Sequence, residues 1–155
     1  MTRSLCHRCV DRLRPRLSDE RGFTLIEVLV VVLIIGILAA IALPIFLGQS
    51  AKGQDSSAKT DARNMVSQVE SCNATSQNYS QCATDTALSA DGPTGLTWGT
   101  SGGQVAVTAA GTNSYTIEAV SQSSHTFDIA KAAGGGLTRT CSPPGKGACP
   151  ASGNW

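Results

Sequence analysis

The sequence predicts an α+β fold: one long N-terminal helix, membrane-spanning in its first half and amphipathic in its second, packed on an antiparallel meander of three to four strands. Three observations predict it. Residues 23–47 form a long apolar run with one charged residue, Glu27. Residues 51–72 repeat small apolar side chains at three- and four-residue spacing. Between residues 104 and 131, three short segments alternate apolar and polar residues, the period of a half-buried strand.

The first 22 residues are a basic head. Six arginines (3, 8, 12, 14, 16 and 21) stand against Asp11, Asp19 and Glu20, a local charge of +3, while the remaining chain carries six basic and eight acidic residues, a charge of −2. A basic stretch before an apolar segment orients a membrane protein with the head in the cytoplasm. Read instead as a nucleic-acid arm, it is weak, because three acids dilute so short a segment. Cys6, His7 and Cys9 invite a zinc reading, but a structural site needs four ligands and no second pair lies nearby. No metal and no cofactor is expected.

The apolar run takes 25 residues, Phe23 to Leu47. At ~1.5 Å per residue it spans roughly 37 Å, more than a bilayer's ~30 Å hydrocarbon core. A secretory signal is shorter and ends in a small-x-small cleavage site; this run continues into Pro44, Phe46 and a polar helix. The credible cut lies before the run, at Gly22–Phe23, where a small residue leaves the backbone open to a protease.

Glu27 is the anomaly. A carboxylate inside a bilayer costs on the order of 2.5–3.5 kcal/mol on insertion scales, so it needs a partner. No Lys, Arg or His lies between Phe23 and Leu47. The cut would create one positive group, the α-amine of Phe23, in the same chain or in a neighbouring one. Pairing between chains would make the carboxylate an assembly code that fixes how each subunit docks. The plainer reading is a glutamate reaching the interface near the helix start. Gly36 and Pro44 mark a weak stretch of the helix, because Pro44 leaves the carbonyl of Ala40 without its helical donor.

From 48 to 72 the helix turns amphipathic. Ala58, Ala62, Met65, Val66 and Val69 form a narrow stripe suited to a thin sheet, and Gly48 and Gly53 weaken the join without ending it. Residues 73–103, rich in Asn, Ser, Thr and Gly, read as a loop region. In the 104–155 segment, "QVAVTAA" puts Val105, Val107 and Ala109 on one face. "SYTIEAV" does so with Tyr115, Ile117 and Ala119, and "HTFDIAK" with Phe127 and Ile129. Short turns between them imply an antiparallel meander, and "LTRTC" supplies a short fourth strand.

Cys72, Cys82, Cys141 and Cys149 lie beyond the membrane segment, where disulfides form. Pairing Cys72 with Cys82 ties the helix end to its own loop; pairing Cys141 with Cys149 staples a tail rich in proline and glycine. The rival pairing is Cys72–Cys149 with Cys82–Cys141. His125, beside Ser124 on a strand, reads as a surface or edge residue rather than a base. Asp85, Asp91 and Asp128 are scattered, with no paired-carboxylate or metal-ligand spacing, and no phosphate-binding glycine loop appears. Asn73 and Asn78 match the glycosylation sequon inside an Asn/Ser-rich stretch. The sequence reads as a non-enzyme.

The segment "RGFTLIEVLVVVLIIGILAAIALP" resembles the class III signal of type IV prepilins: basic leader, glycine, phenylalanine, apolar run, and glutamate at the fifth place of the mature chain. The likeness covers residues 1 to about 50; the rest agrees only in layout, that of the pilin fold. By this resemblance a prepilin peptidase cuts after Gly22 and methylates the amine of Phe23, and Glu27 docks subunits. The helix near Gly36 and Pro44 can lose helicity within a filament. The resemblance also implies polymerisation by cytoplasmic ATPases and an inner-membrane platform. The precursor would sit in the cytoplasmic membrane and the product in an extracellular fibre serving twitching, adhesion or DNA uptake. The alternatives are a pseudopilin of type II secretion or competence, and a membrane-anchored binding domain that never polymerises. Length and paired cysteines favour the pilin over the pseudopilin, and Glu27 argues against a plain anchor.

Overall fold

A computed structural model describes residues 22–90 and 92–155. The leader with Cys6, His7 and Cys9, and also Asp91, lie outside the described residues. Helix α1 runs Leu25–Ser76 with Pro44 inside it. A 3₁₀ turn follows at Tyr79–Cys82, then helix α2, Asp85–Leu88. Four strands complete the chain: β1 Gln104–Ala110, β2 Tyr115–Val120, β3 Thr126–Lys131 and β4 Leu137–Ser142. The chain divides into two compact units between Ala40 and Ile41.

In the first unit the described residues are the start of α1 and its lead-in, exposed throughout. In the second, the strands pair antiparallel in the order β1-β2-β3-β4. The meander arises because each connection is too short to cross over, and alternation then decides which face is dry. Ile117, Phe127 and Ile129 point to the core with at most 1% exposure, and against them lie Ala58, Ala62, Met65 and Val69 of α1. Small residues on the helix let it lie close to the sheet, while the bulk comes from Phe127 and Tyr115.

Two local expectations fail for physical reasons. Val107 pairs with Ile117, but Ala109 pairs with Thr116, so Thr108 is an extra residue, a β-bulge. The bulge flips the pleat: Val105 and Val107 are buried, and Ala109 is exposed. Residues 73–103 are also more ordered than a loop. Helix α1 continues to Ser76; Asn78 caps the 3₁₀ turn by accepting from the Ser80 amide, and Thr84 caps α2 by accepting from the Ala87 amide. Four-residue turns carry no hydrophobic period, so only these capping residues could have announced them.

Disulfides join Cys72 to Cys82 and Cys141 to Cys149, with Cα atoms 5.9 and 5.7 Å apart. The first anchors the 3₁₀ turn to α1; the second closes the tail beneath β4. After it the chain returns to the sheet, Thr140 bridging to Asn154.

Candidate functional site

Three places gather polar chemistry: the N-terminal end of α1, the contact between α1, the β2–β3 turn and the tail, and the surroundings of Glu70 toward the end of α1.

At the N-terminus, Thr24 caps α1. Its hydroxyl oxygen accepts from the Glu27 amide at 3.2 Å and its carbonyl accepts from the amides of Glu27 and Val28 at 3.1 and 3.3 Å. Thr24-x-x-Glu27 is the spacing of a capping box, a signal present in the sequence that the reading of Glu27 as a partner for the Phe23 amine or as an interfacial glutamate left out. In the first turn Glu27 also meets the positive end of the helix dipole. The carboxylate is exposed. So is everything around it: eighteen large apolar residues from Phe23 to Leu47 each expose 46% or more of their surface. This is the one helix among the described residues long and apolar enough to cross a membrane.

A Cβ added at Gly22, Gly36, Gly48 or Gly53 would meet no atom within 4 Å. Among the described residues, no packing requires a glycine at any of the four. Pro44 sits in a stretch that stays helical on both sides.

At the second place the structure corrects the reading of His125. It is not a free edge residue: its Nδ1 lies 2.9 Å from Oδ2 of Asp55. Asp55 is fully buried on the α1 stripe, three residues before Ala58. It accepts hydrogen bonds from the Ser123 hydroxyl and, at 2.7 Å, from the Ala148 amide. Sequence reasoning missed it, although a charge on an apolar stripe was the available signal. Ser, His and Asp thus meet, but not as a relay. In a hydrolytic triad the histidine offers one nitrogen to each partner; here the same Nδ1 faces both Ser123, at 3.0 Å, and Asp55. The cluster is a clasp joining α1, the β2–β3 turn and the disulfide loop.

A second clasp lies toward the end of α1. Glu70 accepts from Tyr79 at 2.7 Å, Tyr115 at 3.0 Å and Lys131 at 2.8 Å. Burial alone would raise both carboxyls. The donors outweigh it: Ser123, Ala148, Ser121 and His125 hold Asp55 below the usual carboxylate range, and Lys131, Tyr79 and Tyr115 do the same for Glu70. A depressed carboxyl stabilises the fold above the unfolded chain's value near 4 and loses that contribution as the pH falls through the folded value. Asp55→Asn should therefore melt well below wild type at neutral pH, and the gap should narrow as the pH drops below about 4. Melting curves of the detergent-solubilised chain would check this; a gap constant with pH would contradict it. Among the described residues, no cluster of three or more His, Cys, Asp or Glu could hold a metal ion.

Residues 17–43 match the family described as the prokaryotic N-terminal methylation motif. The chain is 43% identical over 76 residues to a type IV major pilin protein of Myxococcus xanthus, covering 49% of this chain and 33% of the relative. It is 40% identical over 65 residues to a type IV major fimbrial protein of Dichelobacter nodosus, 42% of each chain. Over 35 residues it is 60% identical to a fimbrial protein of Eikenella corrodens, 23% of this chain and 22% of the relative. The chain thus spans well under half the length of these relatives. No solved structure matches.

Proposed function

We propose that this chain, which is a type IV prepilin by its N-terminal segment, is a structural subunit of a type IV pilus. In this reading a peptidase in the membrane cuts between Gly22 and Phe23, the new amine of Phe23 is methylated, and the helix that follows waits in the bilayer. Assembly then moves it from lipid into a bundle of identical helices, with an ATPase-driven platform supplying the work. The globular part would face outward as the fibre surface.

One observation supports this above the others: the segment from Phe23 to Leu47 is greasy on every side, and its large apolar side chains stay exposed among the described residues. An apolar surface of that size must be covered by lipid or by other helices. A single carboxylate in its first turn gives a reason to prefer subunits to lipid. Gly22 fits the same reading, because none of the described residues needs it small, while a protease reading an extended backbone does.

Two measurements address the reading. Shearing cells that express the chain should release it in fibres. Gly22→Phe should leave full-length precursor in the membrane and reduce the sheared fraction at least about tenfold, a block of roughly 1.4 kcal/mol or more at the cleavage step. Normal fibre yield from Gly22→Phe would place the cut elsewhere.

A further inference from the structure

We propose that the basic cluster of Lys59, Arg63 and Arg139 docks on the acidic pair Glu118–Asp128 of a second copy of this chain. This contact rests on the filament reading and names a surface that the fibre would use beyond its N-terminal helices.

The cationic half is built on Trp155. Arg63 Cζ lies 5.1 Å from its ring centroid, Lys59 Nζ 5.6 Å and Arg139 Cζ 5.7 Å. The platform is held in place: the indole N–H donates to the Thr140 carbonyl at 2.7 Å, and the ring stands edge-on to Phe127 at 5.8 Å. Lys59 is steadied by donating to the Ala148 carbonyl at 2.7 Å. Beyond Gly22 the chain has six basic residues, and Lys131 is taken by Glu70. Three of the other five converge on this one indole. Arg63 and Arg139 are exposed, and of the acids the carboxylate acting on Lys59 is Asp55, which is buried and has its own donors. Aromatic–cation contact and charge of one sign in one exposed place is the composition of an interface anchor.

The acidic half lies on the other side of the sheet. Register sets Glu118 directly opposite Asp128 in the row Ala106, Glu118, Asp128, Thr140, on the sheet face away from Ile117 and Ile129. The neighbouring rows of this face hold only Gln, Ser, Thr, Val and Ala, with no lysine or arginine. Like charges placed directly across two strands repel. Both side chains are half-buried, and burial together with the Glu118 charge pushes Asp128 up. The chain keeps an unfavourable pair that a cation from outside would relieve.

Within one copy the two halves cannot meet. Lys59 sits over the core face of Phe127 at 5.0 Å, whereas Asp128, the next residue, points away from the core. Complementary patches on different faces of one chain make a head-to-tail contact, which builds open assemblies rather than closed dimers.

The test is zero-length carbodiimide coupling on sheared fibres, followed by peptide mass spectrometry, for wild type and for Arg139→Lys. Links from Lys59 to Glu118 or Asp128, and from position 139 in the variant, are expected in fibres and not in detergent-dispersed chains. In parallel, Arg63→Glu/Arg139→Glu and Glu118→Lys/Asp128→Lys should each lower fibre yield about tenfold through like-charge opposition, and the four changes together should restore it. Wild-type yield from both swapped chains, without links, would overturn the contact alone. Loss in the arginine swap only would overturn it in favour of another anionic partner. No fibre from the wild-type chain would overturn the filament reading and this contact with it.

Discussion

Replacing Glu27 by valine should leave a chain that is processed, inserted and stable in the membrane, yet makes no fibres. The expectation follows from comparing two environments. In lipid, valine is favourable at this position and a carboxylate is unfavourable by on the order of 2.5–3.5 kcal/mol, so the variant should insert more readily than the wild type. In a bundle of subunits the order reverses. Each Phe23 amine would then stand in a low-dielectric setting without a counter-charge, and an uncompensated buried charge costs about 3–5 kcal/mol. That penalty recurs with every subunit added. Glu27→Gln tests charge apart from shape: the side chain keeps its size and the spacing of a capping box with Thr24, but cannot neutralise an ammonium. Both variants should reduce sheared fibre at least about a hundredfold, because roughly 3 kcal/mol per addition step exceeds a factor of 100. If Glu27→Gln assembled normally and only Glu27→Val failed, the glutamate would be acting as a helix cap, not as a docking charge.

In the globular part the largest effect is expected at Gly147. Its φ is +55°, and a Cβ there would run into the Asp55 carboxylate and the His125 ring. Asp55 must stay where it is to satisfy the Ser123 hydroxyl, the Ala148 amide and His125. Gly147→Ala therefore forces either the loop or the clasp to open, and opening the clasp leaves buried donors unpaired at about 1–3 kcal/mol each. With the conformational penalty of a left-handed alanine added, the loss should reach about 3 kcal/mol, a fall in Tm of roughly 10–20 °C for a domain of this size. Gly145→Ala is the control. Its φ is +73°, equally left-handed, but its Cβ would approach only the Ala151 Cα, at 4.0 Å. That variant should lose about 1 kcal/mol. Equal losses at the two glycines would show that backbone conformation alone, and not the Asp55 clasp, sets the requirement.

The contrast between these two regions explains how much the sequence discloses. The N-terminal segment is legible because its signals are local: a glycine, a phenylalanine, a glutamate four residues later and a long apolar run lie within one stretch of chain. The strand order is legible for a similar reason, since short turns leave a meander little choice. The clasps are not. Asp55 and His125 are 70 residues apart, and nothing but folding brings them together. The outward guess for His125 followed from its polar neighbours, whereas its partner lies on another element. A residue of this kind leaves one trace, a charge at a stripe position, and Asp55 shows it at three residues from Ala58. The bulge at Thr108 leaves none, because alternation counts every residue and a bulge adds one.

The most direct test of the account is the N-terminal mass spectrum of the chain recovered from sheared surface fibres. The account predicts one species, beginning at Phe23 with a methylated amine and lacking all 22 leader residues. Fibres containing chains that still carry the leader, or that begin at any residue after Glu27, would contradict it. So would a processed chain found only in the membrane under conditions where fibres form.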